Sequence, residues 1–494
     1  IISENLTLKA KWQQLPVDYG TMTVHYDLNG APETVNGISQ QPAEETVRTG
    51  KVLTKPTDPQ RPGLANEVKY THWEFTGWST TANGVDEAGA STLWDFAKAP
   101  ELQNSDVKEM TLYAQWKAVD ELAQGTEEAP YEIPEGKEGA AILKAISDNL
   151  ANDHSIDYEG SYFVLTGDIE LPSDWEWIGE HGSIGWASTY GFNGVINGDG
   201  YSIINNTGRP FIGYLGPKGE LHDVNLVREQ GSGKISWNTV GVAVNEGYIH
   251  DITGDICLEE MNNSMGSGYA GGSIAFNNMA AGIIENCEIK VTATFATNGA
   301  GTSSYGNFGG LVGVNEGNVS DCKLLSGSSI AIDANRVDTS FGGNIAGIVQ
   351  MNRSGGTVKN CEVEEGVVLT GVGGGIVGTN NGSTSSIINC INRADIDFLQ
   401  ESGGGIATSS QGPIENCINY GNLSGSGNMA GIVRQQTGNG LSNCINYGDL
   451  SITSPEGTET TYIAGGIVQF LWITTAGDYQ INGCQNFGDI SGDI

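Results

Sequence analysis

The chain has 494 residues, of which 59 are acidic and 23 basic, giving a formal charge of −36. Such acidity excludes nucleic acid as a partner and speaks against anionic membrane surfaces, because both repel a polyanion. Its 72 glycines lack a collagen period, and 38% hydrophobic content is too much for disorder, so a long, ordered, turn-rich β protein is expected.

The length predicts at least two structural units. Charge divides unevenly between them: residues 1–120 hold 10 basic and 16 acidic residues, and residues 121–494 hold 13 and 43. No apolar run reaches transmembrane length, so no direct membrane insertion is expected, and the opening Ile1-Ile2-Ser3-Glu4 reads as the interior of a longer protein. Leu6-Thr7-Leu8-Lys9-Ala10-Lys11-Trp12 returns as Met110-Thr111-Leu112-Tyr113-Ala114-Gln115-Trp116. The alternation predicts a strand ending in a buried tryptophan, with 1–12 as the last strand of a preceding copy. Between the copies, Met22–Tyr26 reads as a strand entering the turn Asp27-Leu28-Asn29-Gly30, Lys55-Pro56-Thr57-Asp58-Pro59 as a rigid loop, and Trp73–Trp78 as a second strand. Leu93–Ala97 reads as a short helix. In this order residues 19–117 resemble the Listeria–Bacteroides repeat, the internalin B-type repeat, with a longer insert at 60–71. The resemblance implies a small β-grasp-like spacer of bacterial surface proteins, with no chemistry of its own.

Residues 118–136 read as a linker. Ile142, Ala145, Ile146 and Leu150 then recur at helical spacing and predict one amphipathic helix, placed to cap the first coil of the second unit. From about residue 240 a Gly-(Ile/Leu)-Val strand recurs at Gly310, Gly347, Gly375, Gly431 and Gly466, each followed by a cysteine. The eight cysteines, from Cys257 to Cys484, lie 30, 35, 39, 29, 27, 27 and 40 residues apart. A period near 27 with variable insertions suits one coil of a parallel β-helix, three short strands and their turns. Glycine is expected in those turns where φ is positive. The copies resemble the GLUG motif, as in Gly310-Leu311-Val312-Gly313-Val314-Asn315-Glu316-Gly317, and the likeness extends over 122–494. It implies a right-handed parallel β-helix over 137–494 in large extracellular bacterial surface proteins, many of them suspected adhesins, some beside metalloproteases that cleave immunoglobulin A.

Chemistry is sparse. The cysteines show neither CxxC pairs nor neighbouring histidines, so no metal site is expected, and either a disulfide ladder or a column of buried thiols fits their spacing. Gly373–Gly378 satisfies G-x-G-x-x-G, but no helix pattern comes after it. HExxH and G-x-S-x-G are both missing from the sequence. No cofactor and no catalytic residue is assigned. A polysaccharide-cleaving β-helix stays open as the alternative, with Asp168, Glu170, Asp174, Glu176 and Asp199 as its carboxylates. Two aromatic groups are candidate ligand-binding residues: Trp175, Trp177 and Trp186, and the column Tyr420, Tyr447 and Phe487, each three residues after a cysteine. Stacked rings there suit either a sugar-binding strip or self-packing between coils. The expected protein is mainly β, a β-grasp-like spacer followed by a capped β-helix. It acts as an adhesin or display stalk for a surface glycan or protein, or as the accessory region of such a protease.

Overall fold

A computed structural model describes residues 20–35, 38–48, 50–62, 72–100, 108–118, 125–179, 190–261, 271–295, 307–332, 345–438, 440–453, 462–472 and 480–492. The chain forms two units, Ile1–Gln124 and Gly125–Ile494. The strand expected in 1–12 and the candidate Trp186 lie outside the described residues.

In the first unit Glu109–Ala118 is the central strand of a five-stranded sheet. It runs parallel to Thr21–Asp27 and antiparallel to His72–Ser79, while Glu45–Arg48 and Arg61–Pro62 add antiparallel edges. The sheet is thus mixed, with a parallel pair at its centre. Alternation along Thr21–Asp27 turns Met22, Val24 and Tyr26 inward, where they meet Leu112, Ala114 and Trp78. Two expectations are corrected. The buried tryptophan is Trp78, 1% exposed and edge-on to Tyr26 at 5.0 Å, whereas Trp116 is only half-buried because its Nε1 must reach the Leu28 carbonyl (3.0 Å). Leu93–Ala97 is not a helix, since Trp94 N–H bonds the Trp78 carbonyl of the neighbouring strand at 2.6 Å and Asp95 caps its own following turn.

The second unit is a parallel β-helix. One coil reads Val377–Asn381, Ser386–Ile388, Ile391–Asn392, Ile396–Asp397 and Gly403–Gly404, and Ala407–Ser410 opens the next. Each strand pairs in parallel with its copy one coil on: Val377 with Ala407, Ile387 with Ile414, Ile391 with Ile418, Ile396 with Leu423 and Gly403 with Met429. The stack begins earlier than the linker reading placed it, because Tyr131–Ile133 already pairs with Tyr162–Leu165. Helix Gly136–Asn152 packs on this first coil through Leu143, Ile146, Ser147 and Leu150. Ser147 Oγ donates to the Trp177 carbonyl at 2.7 Å. The buried stripe runs through Leu143 and not Ile142, which is half-exposed, because Leu143 shares a face with Ile146, Ser147 and Leu150, the face packed on the first coil.

Three columns running along the stack hold the coils in register. Asn389, Asn416 and Asn443 turn the corner with φ near +54°, where asparagine is among the few side chains tolerated. Each also bonds its predecessor, Asn416 to Asn389 at 3.1 Å and Asn443 to Asn416 at 3.2 Å. The next residue is the cysteine, which points inward. All eight cysteines are free thiols, and Cys390 and Cys417 donate to the carbonyls two residues back at 3.4 and 3.3 Å. Of the two patterns left open by sequence, the column of thiols is the one formed, from Cys287 to Cys484; Cys257 lies outside it, on an outward-facing strand position paired with Thr292, while Ile252 takes the corner. Burial pushes the Cys322, Cys390 and Cys417 thiols well above the ordinary thiol range. Inside, Asn245, Asn278, Asn315, Asn352 and Asn380 form a buried amide ladder with side-chain bonds of 2.7–2.8 Å.

The recurring glycine has a different cause from the one expected. Gly310, Gly347, Gly375, Gly405 and Gly431 are absent from the positive-φ residues. A Cβ on any of them would lie 2.0–2.3 Å from the next coil's carbonyl oxygen. Close approach of backbone to backbone, not turn conformation, fixes glycine there.

Candidate ligand groove

The last four coils carry the pattern Cys-x-Asn-x-(Ala/Gly): Cys390-Ile391-Asn392-Arg393-Ala394, then Cys417, Cys444 and Cys484 at its equivalent position. Period-two alternation sends Cys and Asn inward, so the residue after Asn must face out. Arg393, Tyr420, Tyr447 and Phe487 therefore form one external column. Asp395, Asn422, Asp449 and Asp489 form a second beside it, and Asp397, Ser424, Ser451 and Ser491 a third.

The rings stack face to face. Tyr420 and Tyr447 lie 5.1 Å apart at 5°, and Tyr447 and Phe487 lie 5.2 Å apart at 12°. The Arg393 guanidinium covers the other face of Tyr420 at 4.8 Å, and its Nε donates to Glu362 Oε1 at 2.5 Å. That bond to Glu362 raises the Arg393 pKa further, so the group is always charged. Ring faces are thus spent on neighbouring coils up to Phe487, while edges and hydroxyls remain exposed, 41% at Tyr420 and 43% at Tyr447.

Beside Arg393 and Tyr420 lies an open cleft of about 670 Å³, lined also by Asp395, Asp397, Asn422 and Ser424. Asp395 Oδ1 accepts the Asn422 N–H at 2.7 Å, Asn422 Oδ1 the Asp449 N–H at 3.0 Å, and Asp449 Oδ1 the Asp489 N–H at 2.8 Å. One atom of each side chain ties the coils, and its second oxygen or amide is left for hydroxyl groups. Sequence reasoning found the rings but not Arg393, Asp395 or Asp397. Aligning Cys390 with Cys417 would have placed Arg393 in the ring column.

The tryptophans are not part of this groove. Trp175 is a core residue, 2% exposed, with Nε1 on the Pro210 carbonyl at 3.1 Å, and Trp177 lies under the Arg209 guanidinium at 4.3 Å. Of the early carboxylates, Asp168 accepts the Ser202 N–H at 2.7 Å, Glu176 faces Arg209 at 3.5 Å and Asp199 occupies a turn with φ 48°, while Glu170 and Asp174 share an open cleft beside the start of the capping helix, with Lys137 and Lys144.

A second polar cluster escaped the sequence reading altogether. His222 and His250, on paired strands, stack 4.9 Å apart at 2°. His250 presents Nε2 to Glu220 at 2.9 Å and Nδ1 to Asp251 at 2.6 Å, and Tyr248 stacks on its ring while bonding Glu285. Among the described residues no group of three or more His, Cys, Asp or Glu is arranged to hold a metal ion. Among them, too, no helix is long and apolar enough to cross a membrane.

No family model matches the chain, and no curated protein does. Among solved structures it is similar to a "putative immunoglobulin A1 protease" from Bacteroides ovatus, at 17% identity. That match covers 74% of this chain and 86% of the other, with a TM-score of 0.29. A likeness that low carries no argument about function.

Proposed function

We propose that this chain is a non-catalytic part of a large extracellular bacterial surface protein, in which the β-helix displays a lateral groove that binds a surface ligand. The observation that carries this reading is the groove itself. Two polar columns repeat coil after coil beside the column of rings, and the coils are locked together by amide ladders, so the surface is rigid before any ligand arrives. Preorganisation of that kind favours binding, because little side-chain freedom remains to be lost. The carboxylates of the cleft also hold neighbouring turns, Asp395 through Asn422 and Asp397 through the Leu399 N–H at 2.9 Å. Turn-holding groups suit recognition better than proton transfer. The first unit is proposed as a spacer of the Listeria–Bacteroides type and the coils as GLUG-like repeats.

The test is a glycan-array screen of the whole chain paired with an assay for new reducing ends and unsaturated products. Retention that depends on Tyr420, without turnover, is expected. Turnover that disappears in Asp395→Asn or Asp397→Asn would replace the binding reading with that of a carbohydrate-active enzyme.

A further inference from the structure

We propose that the groove takes an uncharged, linear polysaccharide lying parallel to the coil axis, one sugar to a coil; this rests on the proposed binding function and adds the ligand's charge and direction. Direction is set by the repeat. Coils are spaced by about 4.8 Å, the separation of hydrogen-bonded strands, and the rings by 5.1 and 5.2 Å. Every coil from Arg393 onward offers the same triplet: an external ring or guanidinium, an Asp or Asn, and an Asp or Ser. A ligand that satisfies one coil satisfies the next only if its own chemistry recurs at that spacing. An extended glycan advances by about one coil per sugar, whereas an extended peptide rises about 3.3 Å per residue and falls out of step.

Charge excludes the acidic polysaccharides. Glu365, Asp395 and Asp397 line the cleft, and Asp449 and Asp489 continue the acidic column beyond it. The basic residue among the lining side chains is Arg393, whose Nε is held by Glu362 and whose plane lies over Tyr420. Nothing in that arrangement compensates a uronate, sulfate or sialate brought against the carboxylates. Sugar hydroxyls, by contrast, meet carboxylate oxygens, the Asn422 amide and the Ser424 hydroxyl, the groups suited to fix their orientation. Exposed Val368, at 52%, and the Tyr420 edge supply apolar contact.

The chain should be run in affinity gels containing laminarin, hydroxyethyl cellulose, alginate or heparin, as wild type, as Tyr420→Ala, and as Asp395→Asn/Asp397→Ser. The double variant copies what the following coil already carries, Asn422 and Ser424, so the stack tolerates it. Wild type should be retarded by an uncharged polymer, independently of salt, and Tyr420→Ala should weaken this about tenfold. The double variant, which loses two of the carboxylates that meet the sugar hydroxyls, should bind the uncharged polymer more weakly and gain retardation by alginate at low salt. Tyr420-dependent retardation of wild type by alginate or heparin would overturn the charge assignment while leaving the binding reading intact. Retardation by no polymer in a Tyr420-dependent way would overturn the binding reading, and this inference with it.

Discussion

Asn392 donates its side-chain amide to Asn419 Oδ1 at 2.8 Å, inside a mainly apolar core. Asn419 passes the bond on to Asn446 at 2.8 Å, and Asn446 to Asn486 at 2.7 Å. Each amide also donates to the carbonyl two residues on, as Asn419 does to Gly421 at 2.9 Å. A backbone carbonyl that faces the core at the corner is thereby satisfied, and one residue type repeated at one register position suffices for the whole column.

The ladder predicts an asymmetric cost. Asn419→Leu leaves the Gly421 carbonyl, the Asn446 side-chain oxygen and one N–H of the Asn392 amide unpaired at once, while the other Asn392 N–H stays on the Ala394 carbonyl. Each buried orphan costs about 1–3 kcal/mol, so the three together should cost about 3–9 kcal/mol in chemical denaturation. A loss under about 1 kcal/mol would show that the column adds little beyond its shape.

Glycine in the repeat is required by distance, which separates two kinds of glycine that look alike in sequence. A Cβ at position 375 would lie 2.1 Å from the Gly405 oxygen, and the partner atom is backbone that cannot swing aside. Gly375→Ala should destabilise by about 2–4 kcal/mol. Gly208, whose nearest neighbour would be 3.8 Å away, should accept alanine within about 0.5 kcal/mol.

The cysteines carry a redox expectation. Cys322, Cys390 and Cys417, fully buried and raised by that burial, should resist modification in the native protein. Denatured but unreduced protein should then release all eight titratable thiols. Recovery of few thiols would mean that the column is oxidised.

How far the sequence could be read differs from one feature to the next. The β-helix was legible because Gly-(Ile/Leu)-Val and a cysteine recur in the same order through most of the later coils, and a repeat of fixed chemistry implies a repeat of fixed geometry. The capping helix was legible as an element, but its buried stripe was not: Ile142 and Leu143 are adjacent and equally apolar, and only packing on Tyr131–Ile133 chooses between them. Tyr420 and Tyr447 announced themselves by identity, whereas Arg393 was hidden because a guanidinium replaces the ring in that coil. The His222–His250 stack was invisible, since 28 residues separate the two and no motif spaces them. Only strand register brings them together.

That stack predicts a pH dependence. With Glu220 on one ring nitrogen and Asp251 on the other, His250 bonds fully only as imidazolium. Burial opposes the charge, but the two carboxylates outweigh it, and the His250 pKa is raised above its ordinary 6.5. The facing groups are Glu220 and His222 from one coil, Tyr248, Asp251 and, beside His222, Asp223 from the corners, and Glu285 and Asn286 from the next. A folded pKa above the unfolded value gives stability that is complete below pH 6.5 and lost as pH rises through the folded value. Asp251 runs the other way. The bond from His250 lowers it below 3.8 against the effect of burial, with Asn286 assisting, so its contribution is present above that pH and lost in acid. Coils 220–285 should therefore be tightest between about pH 4 and pH 6.5. Amide hydrogen exchange at Leu221, Ile249 and Ile284 should quicken on going from pH 6 to pH 8 by more than the intrinsic base catalysis of exchange. Glu220→Gln removes one carboxylate and should lower the His250 pKa measured by NMR. An unchanged His250 pKa in that variant would show that Glu220 does not hold the imidazolium.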